Sequence, residues 1–416
     1  MTVEVVQAKA APIHHSQWHE YDGGQMRVAG KTLHQVAAIA GNTPFYVYDR
    51  AAIFQRVAQL RAALPPALQL HYAIKANPMP AVVNLLAGLV DGLDVASHRE
   101  LLVALATGVA AAEISFAGPG KSPLEIKAAV ASGITLIAES ISQIEQVATA
   151  AEQLGIAPRL ALRVNPAFEL KASGMKMTGG AKPFGIDSEQ LPQAVARCRQ
   201  LGLEPEGLHL FTGSQNLSAE AICEAHSGVV QLALELVDTL NLDLRFINIG
   251  GGLGIPYFPG ERPLALASIG DNLDSLLARV ARATEGTAVV MEMGRYLVGE
   301  AGLYVCRILE KKVSRGVTYL VTDGGLHHHL SNSGNFGQVI RKNYPVELAS
   351  QGDKHSEEQV TVVGPLCTPL DIVADKVRLP SAEPGDLIVV RQSGAYGLSA
   401  SPLGFLSHPE PKELLL

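Results

Sequence analysis

The chain has 416 residues, a formal charge of −7 and a calculated isoelectric point of about 6.0. Its 47% of apolar and 18% of charged residues exclude a disordered chain, and its acidic balance disfavours nucleic-acid or anionic-membrane partners. It lacks a signal-peptide pattern, an apolar run of the roughly 20 residues that span a membrane, and any close cysteine pair. We therefore expect a reduced, cytoplasmic, globular protein.

Eight short apolar or β-branched runs, each followed by a helical pattern rich in Ala and Leu, dominate the first two thirds of the chain. They occupy 71–77, 92–97, 113–118, 134–140, 160–166, 207–213, 246–252 and 288–295. This alternation predicts parallel βαβ units, and eight units predict a closed (β/α)8 TIM barrel with its chemistry at the carboxyl ends of the strands. A doubly wound open sheet is the alternative.

The pattern changes after about residue 297. Apolar runs there alternate with polar residues, are separated by Gly, Asp and Pro, and have no long helical pattern between them. Such runs are typical of an antiparallel β domain.

Lys75 ends the first predicted barrel strand, in the sequence YAIKAN at 72–77. Partial burial among small and apolar neighbours is expected to lower the pKa of its amine and make it available for Schiff-base chemistry. Considered alone, a surface lysine whose stem covers apolar neighbours is the better interpretation.

Two further strand ends carry groups suited to a phosphorylated cofactor. Gly250, Gly251 and Gly252 follow the seventh strand, where a glycine turn lets backbone N–H groups close on a phosphate. At the end of the eighth strand, Glu292 could keep a ring nitrogen protonated and Arg295 could bind a phosphate. A tight turn and a rim ion pair are the alternatives.

Two motifs suggest other chemistry. Gly120-Lys121-Ser122 matches the end of a Walker A loop, but Ser115 stands at its first glycine position and Pro119 removes an N–H donor, which disfavours an NTPase. His327-His328-His329 resembles a metal cluster, but neighbouring side chains in a strand face opposite sides, and no acidic residue or cysteine completes the set. We expect a strand-and-turn segment with at most one of these histidines in a pocket, and no metal.

Together the motifs resemble those of fold-type III pyridoxal-phosphate (PLP) decarboxylases, the diaminopimelate/ornithine decarboxylase family. They occur in family order: YAIKAN at 72–77, DVAS at 94–97, TGSQN at 212–216, GGG at 250–252, EMGR at 292–295, GPLCTP at 364–369 and SGAYG at 393–397. The resemblance implies an alanine racemase-like PLP-binding barrel over 42–297, a β domain over 298–416, and an N-terminal segment, 1–41, that packs with the β domain. It also implies a homodimer whose active sites are shared between subunits.

The resemblance implies two catalytic residues. Lys75 would bind PLP covalently, and Cys367, contributed by the partner subunit, would return a proton to Cα after CO₂ leaves. Glu292 would pair with the ring nitrogen and Phe211 would stack on the ring. The other implied cofactor-binding residues are Arg163, Ser214, Gly250, Gly251, Gly252, Gly294, Arg295 and Tyr396. Arg295, Thr368 and Tyr396 are expected to bind substrate.

Two departures from the family pattern bear on the substrate. Phe211 replaces the family's stacking histidine, and Thr368 follows Cys367 where diaminopimelate decarboxylases have a glutamate that binds the distal amino group. The motifs GPLCTP and GAYGLS instead resemble the exosortase-associated and glutamyl–acyl-carrier-protein decarboxylase branch.

We therefore expect a small-molecule substrate that is a conjugated or carrier-tethered amino acid. The alternatives are a meso-diaminopimelate decarboxylase of lysine biosynthesis, a PLP-dependent racemase, and a noncatalytic PLP-binding homologue.

Overall fold

A computed structural model of the chain describes residues 18–167, 175–176, 180–336, 338, 341–351 and 356–416. It begins with small elements: β1 (Tyr21–Asp22), β2 (Gln25–Val28), β3 (Lys31–Thr32), α1 (Leu33–Ala40), β4 (Phe45–Tyr48) and α2 (Arg50–Ala63). A capping box of Thr32 and Gln35 starts α1, and Gly41, with a φ of 86°, ends it.

Eight parallel strands form the barrel in chain order: β5 (Gln69–Ala73), β6 (Gly92–Val95), β7 (Ile114–Phe116), β8 (Thr135–Ala138), β9 (Arg159–Asn165), β12 (Gly207–His209), β14 (Phe246–Asn248) and β15 (Ala288–Met293). Three two-residue strands lie between them: β10 (Met175–Lys176), β11 (Ile186–Asp187) and β13 (Gly213–Ser214). Because β15 pairs with β5 and β8 with β9, the sheet is closed. The predicted barrel is confirmed over the open sheet.

Helices follow the barrel strands: α3 (Pro80–Ala87), α4 (His98–Leu105), α5 (Pro123–Ser132), α6 (Ile141–Leu154), α7 (Leu191–Gln200), α8 (Ala219–Leu240), α9 (Leu266–Ala283) and the one-turn α10 (Arg295–Val298). In α6, Ile144, Val147 and Ala150 recur at three-residue spacing and form its buried face. No helix in the described part of the chain has the length and apolar composition needed to cross a membrane.

The C-terminal sheet contains β16 (Gly302–Ser314), β17 (Val317–Thr322), β18 (Val346–Leu348), β19 (Glu357–Val363), β20 (Ile372–Pro380), β21 (Leu387–Val390) and β22 (Lys412–Leu415). Its order is β18-β21-β16-β17-β19-β20, and its pairings are mostly antiparallel, as predicted. Two pairs, β17–β19 and β22–β4, are parallel.

The elements before the barrel lie against this sheet. Met26, Val28, Leu33 and Val36 share an apolar cluster with residues of β4, β16 and β21. The predicted boundary at residue 42 assigns the strand β4 to the barrel. In the structure β4 pairs with β16 and β22 of the C-terminal sheet. The division into 1–41, 42–297 and 298–416 stays a prediction, and residues 1–17 lie outside the described part of the chain.

Candidate active site

A cleft of about 360 Å³ opens at the carboxyl ends of the barrel strands. Many of the predicted cofactor residues line it: Lys75, Phe211, Ser214, Gly252, Glu292, Gly294, Arg295 and Tyr396. Ala73, Leu253 and Met293 complete the lining. The closed barrel therefore brings together side chains that are more than 300 positions apart in the sequence.

Lys75 lies in a single 3-10 turn, Ile74–Ala76, directly after β5. Its neighbours Ile74 and Ala76 are buried, whereas its own side chain is exposed to the cleft. The Nζ atom lies 5.3 Å from the centroid of the Phe211 ring, close enough for a cation–π contact. The turn therefore directs a single amine from the strand end into the cleft.

The expectation that the Lys75 amine has a lowered pKa is wrong. Although the side chain is exposed to the cleft, the surrounding protein atoms partly desolvate the amine and lower its pKa; the charge of Glu292, followed by Tyr396, opposes this effect, and the net pKa is raised above its ordinary value. The strand sequence shows the apolar neighbours of the lysine but not the carboxylate that the eighth strand places near it. In this protein the amine is therefore held as a cation opposite an acidic group.

Glu292 is 5% exposed, near the end of β15. Its Oε1 atom lies 3.4 Å from Nε2 of His209, the last residue of β12. Burial lowers the pKa of His209 to about 3, against the opposing effect of Glu292, so this imidazole is neutral at neutral pH. The sequence analysis missed His209, although its position two residues before Phe211 on a barrel strand is a usable signal.

Arg163, on β9, is buried and lies between a carboxylate and aromatic rings. Its Nη1 atom donates a hydrogen bond of 3.1 Å to Glu139 Oε1. The guanidinium carbon lies 5.2 Å from the Phe184 ring centroid and 5.9 Å from that of Phe211. Glu139 also accepts hydrogen bonds from the backbone N–H groups of Gly118 and Gly185. The sequence analysis missed this carboxylate, which holds Arg163 near the predicted ring position.

The triple-glycine turn after β14 packs tightly against its neighbours. Gly250 and Gly252 have φ values of 71° and 92°, which favour glycine. A Cβ on Gly251 would collide with the carbonyl of Glu292, and one on Gly252 would lie 2.9 Å from the Gly213 carbonyl oxygen. Among the described residues, the N–H groups of Gly251 and Gly252 have no backbone partner. Two donors are therefore available to an anion at the edge of the cleft.

Arg295 and Tyr396 form the opposite wall of the cleft. The guanidinium carbon of Arg295 lies 4.7 Å from the Tyr396 ring centroid, and Nη1 donates a hydrogen bond of 2.8 Å to the hydroxyl of Tyr257. Its Nε atom is buried without a hydrogen-bond partner among the described residues. Tyr396 has a φ of 52°, and its N–H donates to the Ala76 carbonyl, next to Lys75. This contact joins the C-terminal segment to the barrel mouth.

Cys367 and Thr368 do not line the cleft that contains Lys75. Cys367 is exposed, on the loop between β19 and β20. The Asp371 carboxylate accepts from the N–H of Leu366 and its carbonyl from that of Gly364, which holds the loop in shape. Within one subunit, then, the thiol faces solvent.

The Walker A-like segment has a structural explanation. Ser122 and Glu125 form a capping box at the start of α5. The Lys121 ammonium is buried and donates to the carbonyls of Gly118 and Ile137 and to Gln143 Oε1. Its amine therefore points into the protein and not towards a bound nucleotide.

His327 and His328 lie in a turn and His329 follows it outside any strand, so the strand part of the expected strand-and-turn segment is wrong. All three are at most 1% exposed. Nε2 of His328 lies 3.0 Å from the Pro409 carbonyl, and Nε2 of His329 lies 2.9 Å from Ser393 Oγ. The described residues contain no group of three or more side chains placed to hold a metal ion.

The residues at the mouth fit a phosphorylated pyridine cofactor. Each group suits one part of such a ligand. The glycine turn and the unpaired Arg295 Nε atom suit a phosphate, the buried Glu292 carboxylate suits a ring nitrogen, and the Lys75 amine suits a carbonyl carbon.

Comparisons with known proteins point the same way. A family model described as "Pyridoxal-dependent decarboxylase, pyridoxal binding domain" matches residues 50–299. The chain is 37% identical over 380 residues to an L-glutamyl-[BtrI acyl-carrier protein] decarboxylase of Niallia circulans, with coverage of 90% of this chain and 88% of that protein.

Two further relatives are informative. A 2-[(L-alanin-3-ylcarbamoyl)methyl]-2-hydroxybutanedioate decarboxylase of Staphylococcus aureus is 28% identical, over 94% of this chain and 98% of its own length. The crystal structure of diaminopimelate decarboxylase from Helicobacter pylori complexed with L-lysine superimposes with a TM-score of 0.81 and 29% identity, over 92% of this chain and 94% of that one.

Proposed function

The chain belongs to the family of pyridoxal-dependent decarboxylases, and from this premise we propose that it removes the α-carboxylate of an amino acid that is joined to a larger group. The observation that carries the proposal is the placement of Lys75 and Glu292 in one cleft beside the Gly250–Gly252 turn. This arrangement matches the cofactor that the family uses.

When bound, PLP supplies a conjugated ring that accepts the electron pair released as the bond between Cα and the carboxylate breaks. Lys75 provides the amine for covalent attachment, and its position after β5 sets the orientation of the ring in the cleft. Glu292, buried at the base of the cleft, holds a proton at the ring nitrogen. Phe211 presents an apolar face that excludes water from the reacting bond.

The phosphate would be held at the edge of the cleft, away from the reacting bond. The N–H groups of Gly251 and Gly252, which have no backbone partner among the described residues, would serve as donors, together with Ser214, Arg295 and Tyr396. Arg163 would lie at the ring, where Glu139 fixes its guanidinium. These groups would bind and orient the cofactor, whereas Glu292, Lys75 and Cys367 would hold or transfer protons.

The proposed substrate is supported by the size of the outer cleft. A second, larger cleft of about 1530 Å³ continues outward from Lys75 and Tyr396, between α3, α4 and the C-terminal segment that contains Gly397–Leu403. The part of this space that compares with small-molecule pockets, which measure about 300–1,000 Å³, has a volume of about 630 Å³ and so falls within that range. A free amino acid would leave most of it unused, whereas a tethered one would not.

The named activities of two relatives agree with this proposal. The Niallia circulans protein is a decarboxylase of a glutamyl group on an acyl-carrier protein. The Staphylococcus aureus protein is named for an alanine unit joined through a carbamoyl group to a hydroxybutanedioate. In both, the amino acid is part of a larger molecule.

We propose further that the protein is a homodimer and that Cys367 of one subunit completes the site of the other by returning a proton to Cα. Exposure of the thiol outside its own cleft is consistent with this role. Thr368, Arg295 and Tyr396 would contact the substrate. The four free cysteines are consistent with the reducing cytoplasm that we expected.

Mixing two inactive variants tests the shared site. Lys75→Ala and Cys367→Ala each damage a different part of one composite site. If subunits exchange at random, half of the dimers are mixed and each contains one intact site, so about a quarter of the wild-type activity should return. Failure of the mixture to regain activity, after subunit exchange has been verified by mass spectrometry, would refute the shared site.

A substrate screen tests the reaction itself. Purified protein loaded with PLP should release CO₂ from glutamyl-carrier conjugates faster than from free glutamate, diaminopimelate, lysine or ornithine. Chiral analysis of the recovered substrate separates decarboxylation from racemisation. Preferential turnover of diaminopimelate would transfer the assignment to lysine biosynthesis, and inversion of Cα without CO₂ would indicate a racemase.

A further inference from the structure

A third and smaller pocket lies beside the Lys75 cleft. It is lined by Thr212, Gly213, Ser214, Asn216, Ile222, Ala225, His226, Gly251 and Gly252. Ser214 and Gly252 line both pockets, so the two are neighbours across the residues that we assign to the phosphate. No ionisable side chain other than His226 lines this pocket in the described part of the chain.

His226 lies in the second turn of α8, on the face that carries the buried residues Ile222, Ala225 and Val229. Its side chain is 1% exposed. Neither ring nitrogen makes a hydrogen bond of ordinary geometry within the described residues, although the Gly251 carbonyl lies beside the ring. A buried imidazole without such a partner is costly, because its lost hydration is not replaced.

The surroundings of the imidazole indicate the missing partner. Besides the Gly251 carbonyl, the polar groups around this pocket include the hydroxyls of Thr212 and Ser214, the Asn216 amide, and the N–H groups of Gly251 and Gly252, which have no backbone partner among the described residues. Such groups donate hydrogen bonds, and several donors converging on one space favour an anion with several acceptor oxygens. An imidazole adds a donor in either of its protonation states.

We propose that His226 is an additional binding residue for the phosphate group of PLP and donates a ring N–H to one of its oxygens. This inference rests on the proposed function, since it takes the phosphate to lie at the Gly250–Gly252 turn. Burial lowers the pKa of His226 to about 4, against a smaller opposing effect of the Gly251 carbonyl, so the imidazole is neutral before binding. One N–H suffices for the contact, and no change of protonation is required.

The test compares PLP with pyridoxal, which has the same ring and aldehyde but no phosphate. His226→Leu should weaken binding of PLP to the apoprotein about tenfold, because a hydrogen bond to a charged group is lost. Its affinity for pyridoxal should not change. His226→Gln, which retains a donor, should bind PLP within about threefold of the wild type. Titration of the visible absorbance measures each of these affinities without any turnover.

Ile222→Val is the matched control, because it removes one methylene from the wall of the same pocket. It should affect PLP and pyridoxal equally. If His226→Leu also weakens both ligands equally, or weakens neither, the histidine is a packing residue and the proposal is wrong. Failure of wild-type protein to bind PLP would instead remove the proposed function itself.

A measurement on the wild type avoids dependence on how His226→Leu folds. In protein labelled with ¹⁵N-histidine, the ring signal missing from His226→Gln identifies His226. Addition of PLP should shift this signal, whereas addition of pyridoxal should leave it in place. Equal shifts with both ligands would overturn the proposal.

Discussion

Both ends of the barrel carry charged residues, but the charges form ion pairs within the protein at one end and face an open cleft at the other. At the amino-terminal end, a pocket is lined by Thr135, Arg159 and Arg245, and Glu206 forms ion pairs with both arginines, at 2.9 Å from Arg159 and 3.6 Å from Arg245. Thr135 donates a further hydrogen bond to Glu206. At the carboxyl end, Lys75 has no hydrogen bond or ion pair with any described residue and faces the cleft.

The difference shows how paired charges can be distinguished from reactive ones in this fold. Charges at the amino-terminal end are matched within the protein and therefore stabilise it. The cation at the mouth and the unpaired nitrogens of Arg295 and His226 leave binding capacity for a ligand. In a (β/α)8 barrel, residues at the amino-terminal end are expected to contribute to stability and residues at the carboxyl end to catalysis. Substitutions at the two ends should therefore have opposite effects on activity and stability.

The largest effect is expected for Lys75→Ala. Because this amine is the proposed attachment point of the cofactor, CO₂ release should fall by at least about a thousandfold, while the free energy of unfolding of the apoprotein stays close to that of the wild type. Borohydride reduction should label the wild-type lysine and leave the variant unlabelled. CO₂ release from Lys75→Ala at the wild-type rate would defeat the assignment of this residue.

Glu292→Gln should have the next largest effect. The amide keeps the size of the side chain but cannot hold a proton on a ring nitrogen, so turnover should fall roughly 100- to 1,000-fold. PLP should still bind, and its visible absorption should change. The variant also tests the pKa of Lys75: loss of the carboxylate should lower the pKa of the amine, which the pH dependence of cofactor attachment measures. An unchanged pH profile would show that Glu292 does not control the amine.

Glu206→Gln, at the other end, should have the smallest effect on catalysis. Activity should remain within about twofold of the wild type, while loss of the partly exposed ion pairs should lower the free energy of unfolding by about 1 kcal/mol. Urea denaturation and CO₂ release on the same sample measure both quantities. A large loss of activity with little change in stability would break the contrast between the two ends.

Local signals explain why much of this fold was predictable. Each of the eight strands is a short apolar run before a helix, and several of these helices carry a start signal, such as the Ser122–Glu125 capping box. Strand and helix periodicities are properties of neighbouring residues, so they survive in the sequence without any knowledge of the fold. The strand β4 was harder to assign, because its partners β16 and β22 lie more than 250 residues away.

The residues of the candidate site also differ in how far the sequence could predict them. Lys75, Glu292 and the triple glycine stand in recognisable motifs, whereas His209, Glu139 and His226 do not. Each of the latter is placed by a contact with a residue distant in the sequence: Glu292 for His209, Arg163 for Glu139, and the turn that contains Gly251 for His226. A single residue with a single distant partner leaves no periodic pattern. For the same reason the raised pKa of Lys75 could not be predicted.

Periodicity and short motifs were thus enough to establish an eight-unit barrel, a β domain and the kind of cofactor, because all three depend on residues close together along the chain. The electrostatic state of the Lys75 amine, the inward direction of Lys121 and the unpaired imidazole beside the Gly250–Gly252 turn were settled only by barrel closure. Closure sets the distances between charges on different strands, and both Coulomb energy and hydrogen bonding depend on those distances.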